Sequence, residues 1–395
     1  MLVAVCALGI TQITAWGTSY YCLGILAGSI AADTGWSRSL VFSGFTVALL
    51  TMGLVSTRAG RAIDVHGARS VMAVGTVIVS CGLYLLSLAR IEATYLAVWV
   101  LIGLGMRLCL YDAAFAALVQ VVPSRGRRAI SYLTLFGAFA SSVFWVIGHF
   151  LNEALGWRQT LAVFALINLV VCLPLNWFGL ARRERANARN TAEEAAHVSR
   201  EGQPLAGGAR SLAIGLFALI MSLNAFVFGV ITVQLVPILE AAGLAAGVAV
   251  WVASMKGFAQ FAGRLTEITL GANIRSITVA RIAIGVLPLS LLLLISGGNF
   301  HAIVAFTVMM GASQGVITIV RGAVPLALFG ANGYGAVLGL IATPILVVNA
   351  AAPTVFAWIV DQWGWFTAEL ALLASALASL LAMELMSRWV ERNRP

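Results

Sequence analysis

Apolar residues run along this chain in blocks of about twenty or more, and short polar interruptions separate one block from the next. Twelve blocks can be placed, at 2–31, 38–59, 70–90, 94–120, 130–153, 158–180, 211–237, 244–266, 277–297, 301–324, 333–359 and 365–387. A hydrocarbon layer about 30 Å thick needs a helix of that length, and a helix satisfies all its backbone polar groups within one segment. The pattern predicts an all-α membrane protein of twelve transmembrane helices. Its least distinct boundaries lie near 33, 155, 299 and 362. The one long polar segment, "ARRERANARNTAEEAAHVSREGQPLAGGAR" (Ala181 to Arg210), reads as a solvated linker with some surface helix. The expected organisation is a six-helix bundle over 1–180, a linker over 181–210 and a second bundle over 211–395. Met1 leads directly into the first block, so neither a cleavable leader nor a soluble N-terminal domain is expected.

The halves repeat. "LNEALGWRQT" (Leu151 to Thr160) resembles "IVDQWGWFTA" (Ile359 to Ala368) at an offset of 208, while Gly60-Arg61 resembles Gly263-Arg264 and Pro123 resembles Pro325 at offsets near 203. Two tandem bundles suit a carrier whose substrate site lies between halves that rock around it.

Composition agrees with the pattern: 61% of residues are hydrophobic, 10% are charged and mean hydropathy is +0.97, where soluble domains carry about 25% charge. The net charge of +9 invites a nucleic-acid reading, but its placement excludes one. Arg58, Arg61 and Arg69 follow the second block, and Arg125, Arg127 and Arg128 follow the fourth. Six more arginines lie in the linker and three at the C-terminal end, whereas loops of the other parity hold Arg38, Arg90 and Arg158. By the positive-inside rule both termini are cytoplasmic. The five cysteines and four histidines show no metal-ligand spacing, and no nucleophile–base constellation or GxxxxGK loop occurs. An enzyme, a cofactor and a metal site are therefore not expected, and the driving energy must come from a gradient or from exchange.

Candidate chemistry lies in polar residues inside the blocks. Lys256, Gln260 and Arg264, at i, i+4 and i+8, share one stripe of the eighth, and Lys256 is the sole lysine of the chain. A charge at mid-bilayer costs at least about 2.5 kcal/mol, so such residues tend to face a polar cavity and to serve function. Further stripes are Thr11, Thr14, Thr18 and Tyr21 in the first block, Arg107 and Tyr111 in the fourth, Asn224 in the seventh, and Gln314, Thr318 and Arg321 in the tenth. The threonines can equally bond their own helix backbone. Asp112 is the one acid deep within a predicted span, either a proton carrier or the counter-ion of an arginine on another helix. On a continuous helix it stands about 140° from Arg107, so the two are not expected to pair. The deep charges are mostly positive, which suits an anionic substrate.

The segment "GRAIDVHGAR" (Gly60 to Arg69), read as the loop between blocks two and three, resembles the signature of the major facilitator superfamily. "DTGWSRSL" (Asp33 to Leu40), "GWR" (Gly156 to Arg158) and "PTVFAWIVDQWGW" (Pro353 to Trp365) resemble the bacterial monocarboxylate transporter and oxalate:formate antiporter group. The resemblance implies the two-bundle major facilitator fold, helices 1, 4, 7 and 10 around a central cavity, and a bacterial inner membrane. It implies that Gly60, Asp64, Gly67 and Arg69 form a conformational latch stabilising one access state. Gly60 and Gly67 would allow close approach and a tight turn, and Asp64 would cap the following helix or attract a guanidinium. His66 stands where the family commonly has a base. The resemblance also implies a substrate-binding arginine late in helix 8, where Arg264 lies; the alternative is an interfacial arginine or a second latch with Glu267. Gln260 and roughly Tyr21 occupy the places of the acid and lysine of eukaryotic members, so their proton coupling does not carry over. The reading is a monomeric carrier in the lipid bilayer for a small organic anion, with protons or a counter-anion as co-substrate. An efflux carrier for neutral or cationic drug-like compounds and a non-transporting membrane sensor are the alternatives.

Overall fold

Left-handed glycines and extended caps cut the apolar blocks into helices. The computed structural model describes residues 1–181, 201–296 and 299–393. Its helices are α1 (Leu2–Thr34), α2 (Arg38–His66), α3 (Ala68–Ser87), α4 (Glu92–Val121), α5 (Pro123–Leu155), α6 (Trp157–Gly179), α7 (Gly207–Ala241), α8 (Ala246–Thr269), α9 (Ser276–Ile295) and α10 (Phe300–Phe329). A final helical stretch, Tyr334–Asn393, is divided by Gly364 (φ 81°, ψ 171°) into α11 (334–363) and α12 (365–393). Ten of these stretches are long and apolar enough to cross a membrane, counting the final one once. α8, which carries Lys256, Arg264 and Glu267, is not among them.

Two of the expected boundaries move. α2 continues to His66, because nothing breaks the helix before Gly67 (φ 81°) and Ile63 extends the buried face begun by Ala59. Most of the signature segment is thus helix rather than loop. α8 extends to Thr269, so Glu267 lies inside the helix and is buried, as is Glu369 in α12. Asp112 is therefore not the one deep acid.

The chain forms two compact units. Unit 1 comprises Met1–Glu194 with Ala331–Thr343, and unit 2 comprises Ala195–Gly330 with Pro344–Pro395. Unit 1 is irregular. α1 contains a π turn at Trp16–Tyr20 and α6 another at Asn168–Cys172, and Asn168 Nδ2 donates to Thr18 Oγ1 at 2.8 Å, tying one to the other. Two motif segments meet at the end of α1: Asp33 accepts from Trp157 Nε1 at 3.0 Å and pairs with Arg158 at 3.4 Å. Arg158 also donates to the Ser87 and Ala89 carbonyls, which the end of α3 leaves without helical partners.

Unit 2 is built from longer uninterrupted helices. Gly311 and Gly315 of α10 let that helix lie against the α8 backbone at Lys256 and Gln260, and Gly263 packs likewise on Ala312. A bidentate Arg281–Glu384 pair, both bonds 2.7 Å, joins α9 to α12. The linker ends on this unit, with Glu201 and Leu205 2% and 3% exposed, so that its last residues are docked rather than solvated. Residues 182–200, which hold most of the linker arginines, lie outside the described residues.

The two units share one register. Ala246 follows Arg38, Ser276 follows Ala68, and Phe300 follows Glu92, all as helix starts 208 positions apart. The left-handed glycines Gly35 and Gly243, and Gly156 and Gly364, keep the same spacing. Packing repeats as well: a side chain on Gly103 would strike the Ala48 backbone, and one on Gly311 the Lys256 backbone. The offset of 208 is the geometric one. The Gly60-Arg61 and Gly263-Arg264 likeness is out of register by five positions, since Gly60 packs on Gly335 of α11 but Gly263 on α10.

Candidate functional site

In unit 1 the helix carrying Arg107 breaks. Leu110 is extended (φ −81°, ψ −167°) and separates Glu92–Cys109 from Tyr111–Val121. The 140° expected of a continuous helix does not apply across that break, and Arg107 Nη1 lies 3.1 Å from Asp112 Oδ2. They do pair, contrary to the expectation from helical spacing. Both are buried, 2% and 7% exposed, and Arg107 Nε also donates to Ser56 Oγ of α2 at 2.6 Å. Interrupted backbone at membrane depth survives only inside protein, with its polar groups met by partners. Gln12 of α1 supplies one: its Nε2 donates to the Cys109 carbonyl at 2.8 Å, and its Oε1 accepts from Trp16 Nε1. Gln12 and Ser56 were not singled out in the sequence. The signal was there in Gln12, an amide in an otherwise apolar stretch. Tyr111 begins the second piece of α4, stacked on Phe115 and 5.0 Å from Trp16, which in turn lies 6.2 Å from Tyr21.

In unit 2 the α8 stripe is intact. Gln260 Nε2 donates to Gln314 Oε1 of α10 at 3.3 Å, bringing two of the expected residues together. Arg264 and Glu267, 7% and 4% exposed, lie one turn apart on the same face. Lys256 is half-buried, and its Nζ sits 5.6 Å from the Phe228 ring centre. Among the described residues no carboxylate comes within ion-pair distance of it.

The remaining candidates are tied into their own units. Asn224 donates to Ser379 of α12 and to the Ile220 carbonyl. Thr11, Thr18 and Thr318 bond helix carbonyls at Leu8, Thr14 and Gln314, the backbone role open to threonine.

The signature residues act at a distance in sequence. Asp64, on the last turn of α2, accepts from Gly335 N at 2.9 Å and Ala336 N at 2.7 Å, so it caps the start of α11 rather than of α3. The first N–H groups of a helix have no internal partner, and a carboxylate there also meets the positive end of the dipole. Gly60 makes this possible, since any side chain would collide with the Gly335 carbonyl. Gly67 provides the turn, and Gln120 Oε1 caps α3 at Ala68 N. The Arg69 guanidinium lies 4.1 Å from the Trp177 ring centre.

The family model described as Major Facilitator Superfamily matches residues 8–296. The chain belongs to this superfamily. No curated protein matches it. Solved structures similar to this superfamily member include the human organic anion transporter MFSD10 (TETRAN), with a TM-score of 0.76 at 14% identity over 96% of this chain and 99% of that one. The proton:xylose symporter XylE bound to 6-bromo-6-deoxy-D-glucose gives 0.69 at 14% identity over 96% and 94%. The transporter FucP in the outward conformation gives 0.72 at 15% over 97% and 98%. At these identities the likeness is one of fold. This member is thus an integral, multi-pass membrane transporter of the major facilitator fold.

Proposed function

We propose that this transporter moves a small organic anion, a carboxylate, by alternating access, with Lys256 and Arg264 as its cationic contacts and Gln260 and Gln314 as neutral donors beside them. The observation that carries the reading is Lys256, the sole lysine, placed mid-helix with an aromatic face and no acidic partner among the described residues. An anion leaving water loses solvation that a fixed cation restores, and a guanidinium adds two parallel hydrogen bonds suited to a carboxylate. The resemblance of "DTGWSRSL", "GWR" and "PTVFAWIVDQWGW" to the bacterial monocarboxylate and oxalate:formate group supports the same substrate class. A structural neighbour named as an organic anion transporter accords with it. Asp112 serves as counter-ion to Arg107, and Arg107 and Tyr111 line the pathway through the broken helix. Gly60, Asp64 and Gly67 form a latch whose capping of α11 favours one access state. The arginine distribution supports cytoplasmic termini in a bacterial inner membrane. Uptake of a panel of labelled carboxylates into proteoliposomes, with and without a pH gradient, tests the reading. Lys256→Gln and Arg264→Gln should insert normally and lose that uptake; wild-type anion flux in both would overturn it.

A further inference from the structure

The start of α9 is capped by the linker. Both carboxylate oxygens of Glu201 accept from Ser276 N, at 3.0 and 3.1 Å, and Ser276 Oγ donates to Oε1 at 2.8 Å. Four residues on, Leu205 N donates to the Leu328 carbonyl at 2.8 Å, at the end of α10. One short segment therefore satisfies an orphan N–H at one helix start and an orphan carbonyl at one helix end. Glu201, Leu205 and Ser276 are all buried, so these bonds are shielded from water.

Unit 1 meets the same need without a linker. The start of α3 at Ala68, 208 positions before Ser276, is capped by Gln120 Oε1 at 2.9 Å, while Gln120 Nε2 donates to the Ile63 carbonyl at 3.0 Å. The position 208 after Gln120 is Leu328, which has no side-chain acceptor to offer. Unit 2 has given up the internal cap, and a segment from outside the bundle takes its place.

We propose that Glu201–Leu205 is a detachable strap: docked, it holds the start of α9 to the end of α10, and released, it changes how fast the transporter exchanges substrate. A cap supplied by a helix is permanent. A cap supplied by a linker ties those two helix ends to whatever pulls on or cuts the linker, which gives a handle on transport outside the helix that carries Lys256 and Arg264.

The test uses the full chain with Leu205→Cys as a reporter, labelled by a water-soluble maleimide and read at that residue by peptide mass. In the parent background labelling should be slow. Glu201→Ala should speed it about tenfold or more, the factor expected for losing a charge-assisted hydrogen bond, and should lower the melting temperature. Adding Leu328→Gln, which imports the cap of unit 1, should restore the melting temperature while labelling stays fast. That stable, unstrapped double variant should then exchange substrate at a rate at least about twofold different from the parent. Equal labelling with and without Glu201 would overturn the docking, and an exchange rate equal to the parent's in the double variant would overturn the regulation. Substrate affinity at Lys256 is measured alongside, so a wrong substrate assignment shows itself separately from a wrong strap.

Discussion

The α2–α4 pair of unit 1 and the α8–α10 pair of unit 2 each carry one buried arginine, on opposite members of the pair. In unit 1 it is Arg107 on α4, against the small Ser56 on α2. The positions 208 later are Gly315 on α10 and Arg264 on α8, so the arginine and the small residue have changed helices. The surroundings differ. Arg107 is joined to Asp112 across a helix break, whereas two turns before Arg264 the unit 2 seam adds Lys256, where unit 1 has Ala48. The comparison separates a buried arginine paired with an acid from a lysine that has no acid within ion-pair distance among the described residues.

The sharpest way to break this contrast is at Asp112. Asp112→Asn leaves Arg107 buried without its carboxylate, at a cost of about 3 to 5 kcal/mol. Loss of folded protein after purification and of every transport mode is expected, and Arg107→Met with Asp112→Leu should recover much of the fold. A stable Asp112→Asn variant that exchanges anions but ignores pH would instead make Asp112 the proton carrier. Next in size is Lys256→Gln, which should insert normally yet weaken anion binding by about tenfold or more, a loss of about 1.4 kcal/mol, measured by substrate-dependent thermal shift.

A third test sharpens the register itself. Gly103→Ala and Gly311→Ala each push a methyl group into a facing backbone, and each should cost about 1 to 3 kcal/mol. Equal losses in thermal unfolding are expected; a harmless substitution at either glycine would break the equivalence. The smallest effect falls at Asp64, outside both seams. Asp64→Asn keeps an acceptor near Gly335 N but loses the charge, about 1 kcal/mol. Substrate affinity should be unchanged while exchange slows. Unaltered labelling of cysteines introduced near the start of α11 would count against the latch.

The all-helical fold and the turn at Gly67 were legible because hydrophobic period and glycine position are local properties. The offset of 208 was legible in one decapeptide, and the rival offset near 203 showed how readily a dipeptide recurs. The break at Leu110 was not legible: no proline or glycine marks it, and Gln12, which stabilises it, lies 97 positions away. For the same reason the Arg107–Asp112 pair looked impossible on a wheel drawn for unbroken helix. Asp64 was recognised as a cap but given to the wrong helix, since its partners lie 271 and 272 positions downstream. Local sequence names the donor or acceptor; only the folded chain names its partner.

Lys256 has one more consequence, and it is spectroscopic. A protein with a single lysine has a single ε-amine, so reductive methylation with isotope-enriched formaldehyde places, in addition to the one on the α-amino group, one labelled dimethylammonium on that side chain. Held 5.6 Å from the Phe228 ring centre, its methyl resonance carries a ring-current displacement that an arriving carboxylate would alter. The residue put forward as a cationic contact of the anion is thus also the chain's own reporter, able to register occupancy in real time without mutation.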